Sequence, residues 1–185
     1  MGYEEEVQKD VKRAAGVYTG VGVLMILLGA FAVLIPNVAS WGMTVLIGWI
    51  LVIGAAFLFA WSFTAPGALN VIARIAWSIL TLGAGLFLLI NPDKGAKALT
   101  LILIIYFLAS GVVRLGAAFA QRGIRGAGWL GLSGALSLII GLIFLVDYPQ
   151  SADWAIGLLV GIDLIFGGWT LILLSQEAKS EVLEE

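Results

Sequence analysis

Residues 16–61 read GVYTGVGVLMILLGAFAVLIPNVASWGMTVLIGWILVIGAAFLFAW, two apolar runs joined at Pro36. Residues 71–120 repeat the pattern around Pro92: VIARIAWSILTLGAGLFLLINPDKGAKALTLILIIYFLASGVVRLGAAFA. Residues 129–174 repeat it around Pro149: WLGLSGALSLIIGLIFLVDYPQSADWAIGLLVGIDLIFGGWTLILL. The three prolines recur about every 57 residues, the mark of an internal repeat. A membrane span needs roughly 20 apolar residues, and each of the six runs comes close to that. The expectation is an all-α, polytopic membrane protein: six transmembrane helices built as three proline-turn hairpins. The repeats lie at about 14–63, 70–120 and 128–175 of a transmembrane domain spanning 14–175. A segment 1–13 precedes it, and an acidic tail, 176–185, follows.

Composition points the same way. Charged residues make up 12% of the chain against 61% hydrophobic. A soluble domain carries about 25% charged residues, too many for this chain to be one. The chain has no cysteine and no histidine. Disulfides, thiolate catalysis and Fe–S ligation are thereby excluded, as is the commonest metal and haem ligand. No nucleophile–base pairing, metal cluster or phosphate loop is visible, so the expectation is a non-enzyme without metal or cofactor. Nothing suggests nucleic acid as a partner.

Proline ends a helix because it lacks an amide hydrogen and restricts the residue before it. The residues NVAS and DKGAK therefore read as short turns, with Asn37, Asn91, Asp93 and Asp147 as caps. The third repeat carries one more residue before its proline, VDYP against LLINP. Connections this short make the two helices of a hairpin antiparallel neighbours.

Lysine and arginine outside the spans set orientation. Lys9, Lys12, Arg13, Arg74, Arg122, Arg125 and Lys179 fall on one side, Lys94 and Lys97 on the other. Both termini are expected in the cytoplasm, the proline turns outside, and the chain in a prokaryotic cytoplasmic (inner) membrane. The first apolar stretch lacks a cleavage pattern and reads as a retained helix. In the segment before it, Glu5 and Lys9 at i,i+4 favour a helix, whereas Glu6 and Asp10 oppose one.

In lipid, helices associate through small residues that let backbones approach. Gly16 and Gly20, Ala127 and Gly131, and Gly157 and Gly161 stand at spacing four, and Gly48 and Gly54, Gly111, and Gly161 and Gly167 occupy matching places in the three repeats; these are the expected packing positions. Trp41, Trp61, Trp129 and Trp154 sit at span ends, where indole prefers the interface. Trp49, Trp77 and Trp169 lie deeper and are expected to pack between helices. So many small residues also favour a homo-oligomer or association with other membrane subunits.

Two charges lie well inside apolar runs, Arg114 and Asp163. A charge at mid-bilayer costs roughly 2.5–3.5 kcal/mol on insertion scales and so tends to face a partner. Asp163 is expected to face the bundle interior, with Tyr106 and Arg114 as its polar neighbours. These three form the candidate intramembrane site. Ser78, Thr81, Ser110, Ser133 and Ser137 are further polar candidates.

The segments YFLASGVVRL and LLVGIDLIFGGWTLIL, with the three hairpins, resemble the HdeD family of small six-helix membrane proteins. The matching pieces are S-G-x-x-R at Ser110, Gly111 and Arg114, and G-I-D-L-x-F-x-G from Gly161 to Gly168. The family's basic residue after that phenylalanine is replaced here by Gly167. The resemblance implies a role in acid or stress tolerance, without a catalytic or transport mechanism. Two functions are compatible with the residues: an accessory membrane subunit of that type, or a small proton or solute channel or carrier built on Asp163.

Overall fold

Pro36 and Pro92 each open a helix. Proline is suited to that place because the first amide of a helix has no intrahelical acceptor and the ring presets the backbone angle. In the computed structural model, six α-helices follow in chain order: α1 Gly2–Leu34, α2 Pro36–Ser62, α3 Ala68–Ile90, α4 Pro92–Ala120, α5 Ala127–Val146 and α6 Ala155–Glu184. A single 3-10 turn, Gln150–Asp153, precedes α6. The structure describes residues 2–121, 123, 124 and 126–184, with side chains over 15–121, 123, 124 and 126–176. The side chains of Glu5, Glu6, Lys9, Asp10, Lys12, Arg13 and Lys179, and all of Arg122 and Arg125, lie outside the described residues. Each helix carries a stretch long and apolar enough to cross a membrane, in α1 over Ala15–Leu34 and in α6 over Ala155–Gln176.

The proline connections are tighter than the sequence suggests. Only Ile35 separates α1 from α2, and only Asn91 separates α3 from α4. NVAS and DKGAK are thus the first turns of the following helices, not loops. Asn91 makes no side-chain cap; its carbonyl accepts from the Gly95 amide at 2.8 Å instead. Asp93 stays in the first turn of α4, where a carboxylate favours the helix dipole.

The third connection differs, and the extra residue before Pro149 is the cause. Here the proline opens no α-helix. Ser151 Oγ donates to the Phe144 carbonyl at 2.8 Å, and Trp154 Nε1 donates to Asp147 Oδ2 at 3.1 Å. The indole of Trp154 stands edge-on to Phe144 at 5.4 Å. Asp147 caps the C-terminus of α5 with its amide, which donates to the Ile143 carbonyl at 3.3 Å, while its carboxylate engages the indole.

The chain forms two compact units. One holds the residues up to Ala39 and from Gly157 onward, so α1 lies with α6. The other, Ser40–Ile156, holds most of α2 and all of α3, α4 and α5. The units follow helix pairing, not the boundaries of the sequence repeats.

In the first unit, Gly22 lies against Gly168 and Gly29 against Gly161. A Cβ added at Gly22 would stand 2.7 Å from the Gly168 carbonyl, and one at Gly29 2.6 Å from the Gly161 carbonyl. One heptad further along α6, Ser175 Oγ donates to the Ala15 carbonyl and meets Thr19 Oγ1 at 2.8 Å. Ala15, Gly22 and Gly29 descend α1 as Ser175, Gly168 and Gly161 ascend α6. The pair is antiparallel, with a small residue every seven positions along the seam. A seven-residue recurrence keeps one face on its partner along a helix pair.

The second unit repeats the register twice. Between α2 and α3, Gly48 meets Gly85, and Ser78 Oγ donates to the Ala55 carbonyl at 2.8 Å. Between α4 and α5, Gly111 meets Gly134, and Gly141 lies against the backbone of Leu108. Gly48 and Gly161 stand equally far after their prolines, as do Ala55, Gly111 and Gly168. α3 and α4 touch at their proline ends, where a Cβ at Gly95 would stand 3.3 Å from Leu88 Cα. Within the second unit the closest seams therefore join helices linked by the connections 63–67 and 121–126.

Several expected packing glycines do not pack. Among the described residues, nothing lies within 4 Å of a Cβ added at Gly16, Gly20 or Gly54. Gly167 approaches only the flexible tip of Met25 at 3.1 Å, whereas its neighbour Gly168 forms the seam. Gly131 has only the Ala118 Cβ, at 3.5 Å. Spacing of four was the wrong period, because an antiparallel seam at small crossing angle repeats every seven residues. The deeper tryptophans are corrected too: Trp49, Trp77 and Trp169 are 56%, 64% and 60% exposed. Seams this close leave no room for an indole, and lipid accepts the ring at no hydrophobic disadvantage.

Candidate functional site

Asp163 lies near the middle of the spanning part of α6, two residues beyond the Gly161 rung. Gly161 faces α1; Asp163 is turned away from that seam and is exposed. Among the described residues of its own unit it has no hydrogen-bond or ion partner. The helix places it there because a residue two positions from a seam residue is rotated by about 200° around the axis.

Arg114 and Tyr106 belong to the other unit, both on α4. Arg114 is half-buried, and its Cβ would stand 3.0 Å from a Cβ placed on Gly134. Its stem therefore runs along the α4–α5 seam beside the Gly111 rung. Tyr106 is 60% exposed and stands edge-on to Phe107 at 5.8 Å. It lines a cleft of about 330 Å³ with Ile47, Leu99, Ile102, Leu103 and Ile156, an apolar surface in which its hydroxyl is the sole polar side-chain group. Arg114 and Tyr106 are about 12 Å apart along the helix at 1.5 Å per residue. The structure thus places these two on one helix and Asp163 in the separate unit.

The hydroxyl candidates are engaged locally. Thr81 bonds the Trp77 carbonyl, Ser110 that of Phe107, Ser133 that of Leu130 and Ser137 that of Ser133. Such back-bonds satisfy the hydroxyl inside its own helix. Ser78 alone among them reaches another helix, at the Ala55 carbonyl. Sequence reasoning missed the counterpart in the first unit, the Ser175–Thr19–Ala15 cluster. The heptad from Gly161 through Gly168 to Ser175 was the signal that would have found it.

Thr100 is the exception. It is fully buried, and its Oγ1 has no hydrogen-bond partner among the described residues. Its repeat counterpart, Thr44, donates to the Ser40 carbonyl at 2.8 Å.

With this arrangement in view, the chain can be compared with known proteins. It matches the DUF308 family, described as a short repeat of unknown function, over residues 20–89 and again over 76–146. It is 27% identical to Protein HdeD of Escherichia coli K12 over 154 residues, covering 82% of this chain and 80% of that protein. The HdeD proteins of Escherichia coli O157:H7 and Shigella flexneri match equally. No solved structure matches. The chain belongs to the DUF308 repeat family and is a membrane protein of the HdeD type.

Proposed function

We propose that this protein is a non-catalytic membrane subunit that assembles with a second copy or with other membrane proteins through the Asp163 side of α6. The observation that carries this reading is the exposed carboxylate itself. An acid in mid-span that faced lipid would cost roughly 2.5–3.5 kcal/mol, and a partner helix bearing a donor removes that cost. The neighbouring face is built for contact: Ile162 and Phe166 are 40% and 69% exposed. Thr44, Ser78, Thr81, Ser110, Ser133 and Ser137 of the second unit bond backbone carbonyls, which favours sealed helix pairs over a polar path. By its likeness to HdeD, the assembly serves acid or stress tolerance in a prokaryotic cytoplasmic membrane, with both termini cytoplasmic.

The chain has no native cysteine, so single introduced cysteines report cleanly. Phe166→Cys is expected to cross-link to itself or to a partner in native membranes. Asp163→Leu should abolish that product. Cross-linking unaffected by Asp163→Leu, or absent altogether, would sink the proposal. Lys94→Cys and Thr64→Cys test orientation: an impermeant reagent added outside should label the first and not the second.

A second reading rests on the same carboxylate, which would carry protons or a small solute with Arg114 and Tyr106 as further polar groups. It requires flux into liposomes that Asp163→Asn abolishes.

A further inference from the structure

A cleft of the second unit lies where α2 ends and α3 begins. It measures about 580 Å³ and is lined by Trp61, Trp77, Pro66, Asn70, Arg74 and Leu58. Arg74 sits about 9 Å into α3 from Ala68 at 1.5 Å per residue, just inside one edge of the span. From Pro36 through Pro92 the chain contains no aspartate or glutamate. Neither helix that walls the cleft, nor the connection between them, supplies a counter-ion for this guanidinium.

The rim is held in place before any ligand arrives. Thr64 bonds the Trp61 carbonyl through both its amide and its hydroxyl, at 3.2 and 2.8 Å. Asn70 Nδ2 donates to the Pro66 carbonyl at 2.8 Å, which leaves its Oδ1 and second amide hydrogen available. Gly67 takes φ +86°, a conformation that closes the turn and that other residues resist. Phe57 stands edge-on to Trp61 at 6.0 Å and steadies that wall.

We propose that this cleft binds the phosphate of an anionic glycerophospholipid headgroup, with Arg74 as its cationic contact, Trp61 flanking the glycerol region and Trp77, deeper along α3, beside the acyl chains. The chemistry fits at each point. Guanidinium pairs with phosphate oxygens through its planar fork of donors. Indoles settle at headgroup depth, apolar body toward the chains and N–H toward the polar layer. Basic pockets between transmembrane helices recognise anionic headgroups in this way. The lipid, not free phosphate, is the source. Leu58 and the exposed indoles give the cleft an apolar lining, so an acyl chain continues along the surface that the headgroup enters.

The test uses the full chain, purified in a neutral detergent, with retained lipid counted by native mass spectrometry. The probes are phosphatidylglycerol and phosphatidylcholine with identical acyl chains. Wild-type protein should retain phosphatidylglycerol in preference. Arg74→Gln should weaken phosphatidylglycerol about fivefold, the worth of one basic residue at an anionic leaflet, and leave phosphatidylcholine unchanged. Lys97→Gln, at the start of α4, should change neither. Arg74→Lys should keep part of the preference, because the charge remains and the fork is lost. Equal retention of the two lipids by wild-type protein, or full preference in Arg74→Gln, would overturn the proposal. Displacement of phosphatidylglycerol by equimolar inorganic phosphate would reassign the site to the free ion and overturn it too. Should Arg74→Gln fail to fold, the wild-type lipid ratio and the Arg74→Lys variant decide.

Discussion

The α1–α6 seam and the α2–α3 seam solve one packing problem with different chemistry. α1 and α6 come from opposite ends of the chain and meet through glycine on both sides of two successive rungs. α2 and α3 are joined by the short connection 63–67 and meet through one glycine rung and one hydrogen bond, Ser78 to Ala55. In both, the rungs sit at matching distances from the repeat prolines. What the register demands is a small side chain that lets one backbone carbonyl approach the opposite Cα. Such close Cα–H···O contacts contribute perhaps 0.5–1 kcal/mol each. Glycine on both sides gives the closest approach and tolerates least; serine accepts a slightly wider seam and adds a polar bond.

If this contrast is right, Gly168→Ala should be the most damaging single methyl in either seam. The new Cβ would stand 2.5 Å from the Gly22 carbonyl and 3.1 Å from the Ile26 amide, both backbone atoms that cannot turn aside. Overpacking of this kind costs about 1–3 kcal/mol, and the upper end is expected. Thermal unfolding in detergent, with a disulfide reporter linking α1 to α6, reads it. A wild-type melting temperature would mean the seam is looser than described.

Gly48→Ala probes the α2–α3 rung and should cost less, about 1 kcal/mol. Its nearest obstacle is Leu89 Cδ2 at 2.9 Å, the end of a flexible side chain, with the Gly85 carbonyl at 3.2 Å. A loss equal to that of Gly168→Ala would erase the distinction between the two seams.

Ser78→Ala removes only the interhelical hydrogen bond and keeps the small side chain. Intramembrane hydrogen bonds of this type average about 0.6 kcal/mol, so a small fall in melting temperature is expected. A fall larger than that of Gly48→Ala would make the hydroxyl, not the close approach, the organiser of this seam. Gly54→Ala is the smallest case and carries the opposite sign. No described residue lies near its added Cβ, and alanine is the better helix former, so stability should hold or rise slightly.

These positions also show what was readable. The spans, their number and the breaks at Pro36 and Pro92 follow from composition and from one residue's missing amide, whereas the start of α2 and α4 at the prolines themselves, in place of a turn, did not. The third connection announced its difference through one extra residue before Pro149. The packing face did not announce itself, because nearly every face of these helices is apolar. Spacing of four drew attention to Gly16 and Gly20, and matching of the repeats to Gly54, none of which has a described neighbour near an added Cβ, and away from Gly22, Gly29, Gly85 and Gly168, which do. Gly161 and Gly111 were found because they also recur between repeats. At the candidate site, Asp163, Arg114 and Tyr106 were identifiable as polar groups in apolar runs. Their division between two units was not, since residue type reveals depth along a span but not the direction a side chain faces.

What the amino-acid sequence determined by itself is local: six spans, an internal repeat, and chain breaks at Pro36 and Pro92. Hydropathy and backbone chemistry act residue by residue, so a single chain read in order is enough to show them. Which helix lies against which was decided only in three dimensions. A leucine is as well solvated by lipid as by another leucine, so burial of apolar surface does not choose partners inside a membrane. Only the closeness that small residues permit, matched across two helices in antiparallel register, separates one pairing from another. That match joins α1 to α6, the two helices that stand farthest apart in the chain.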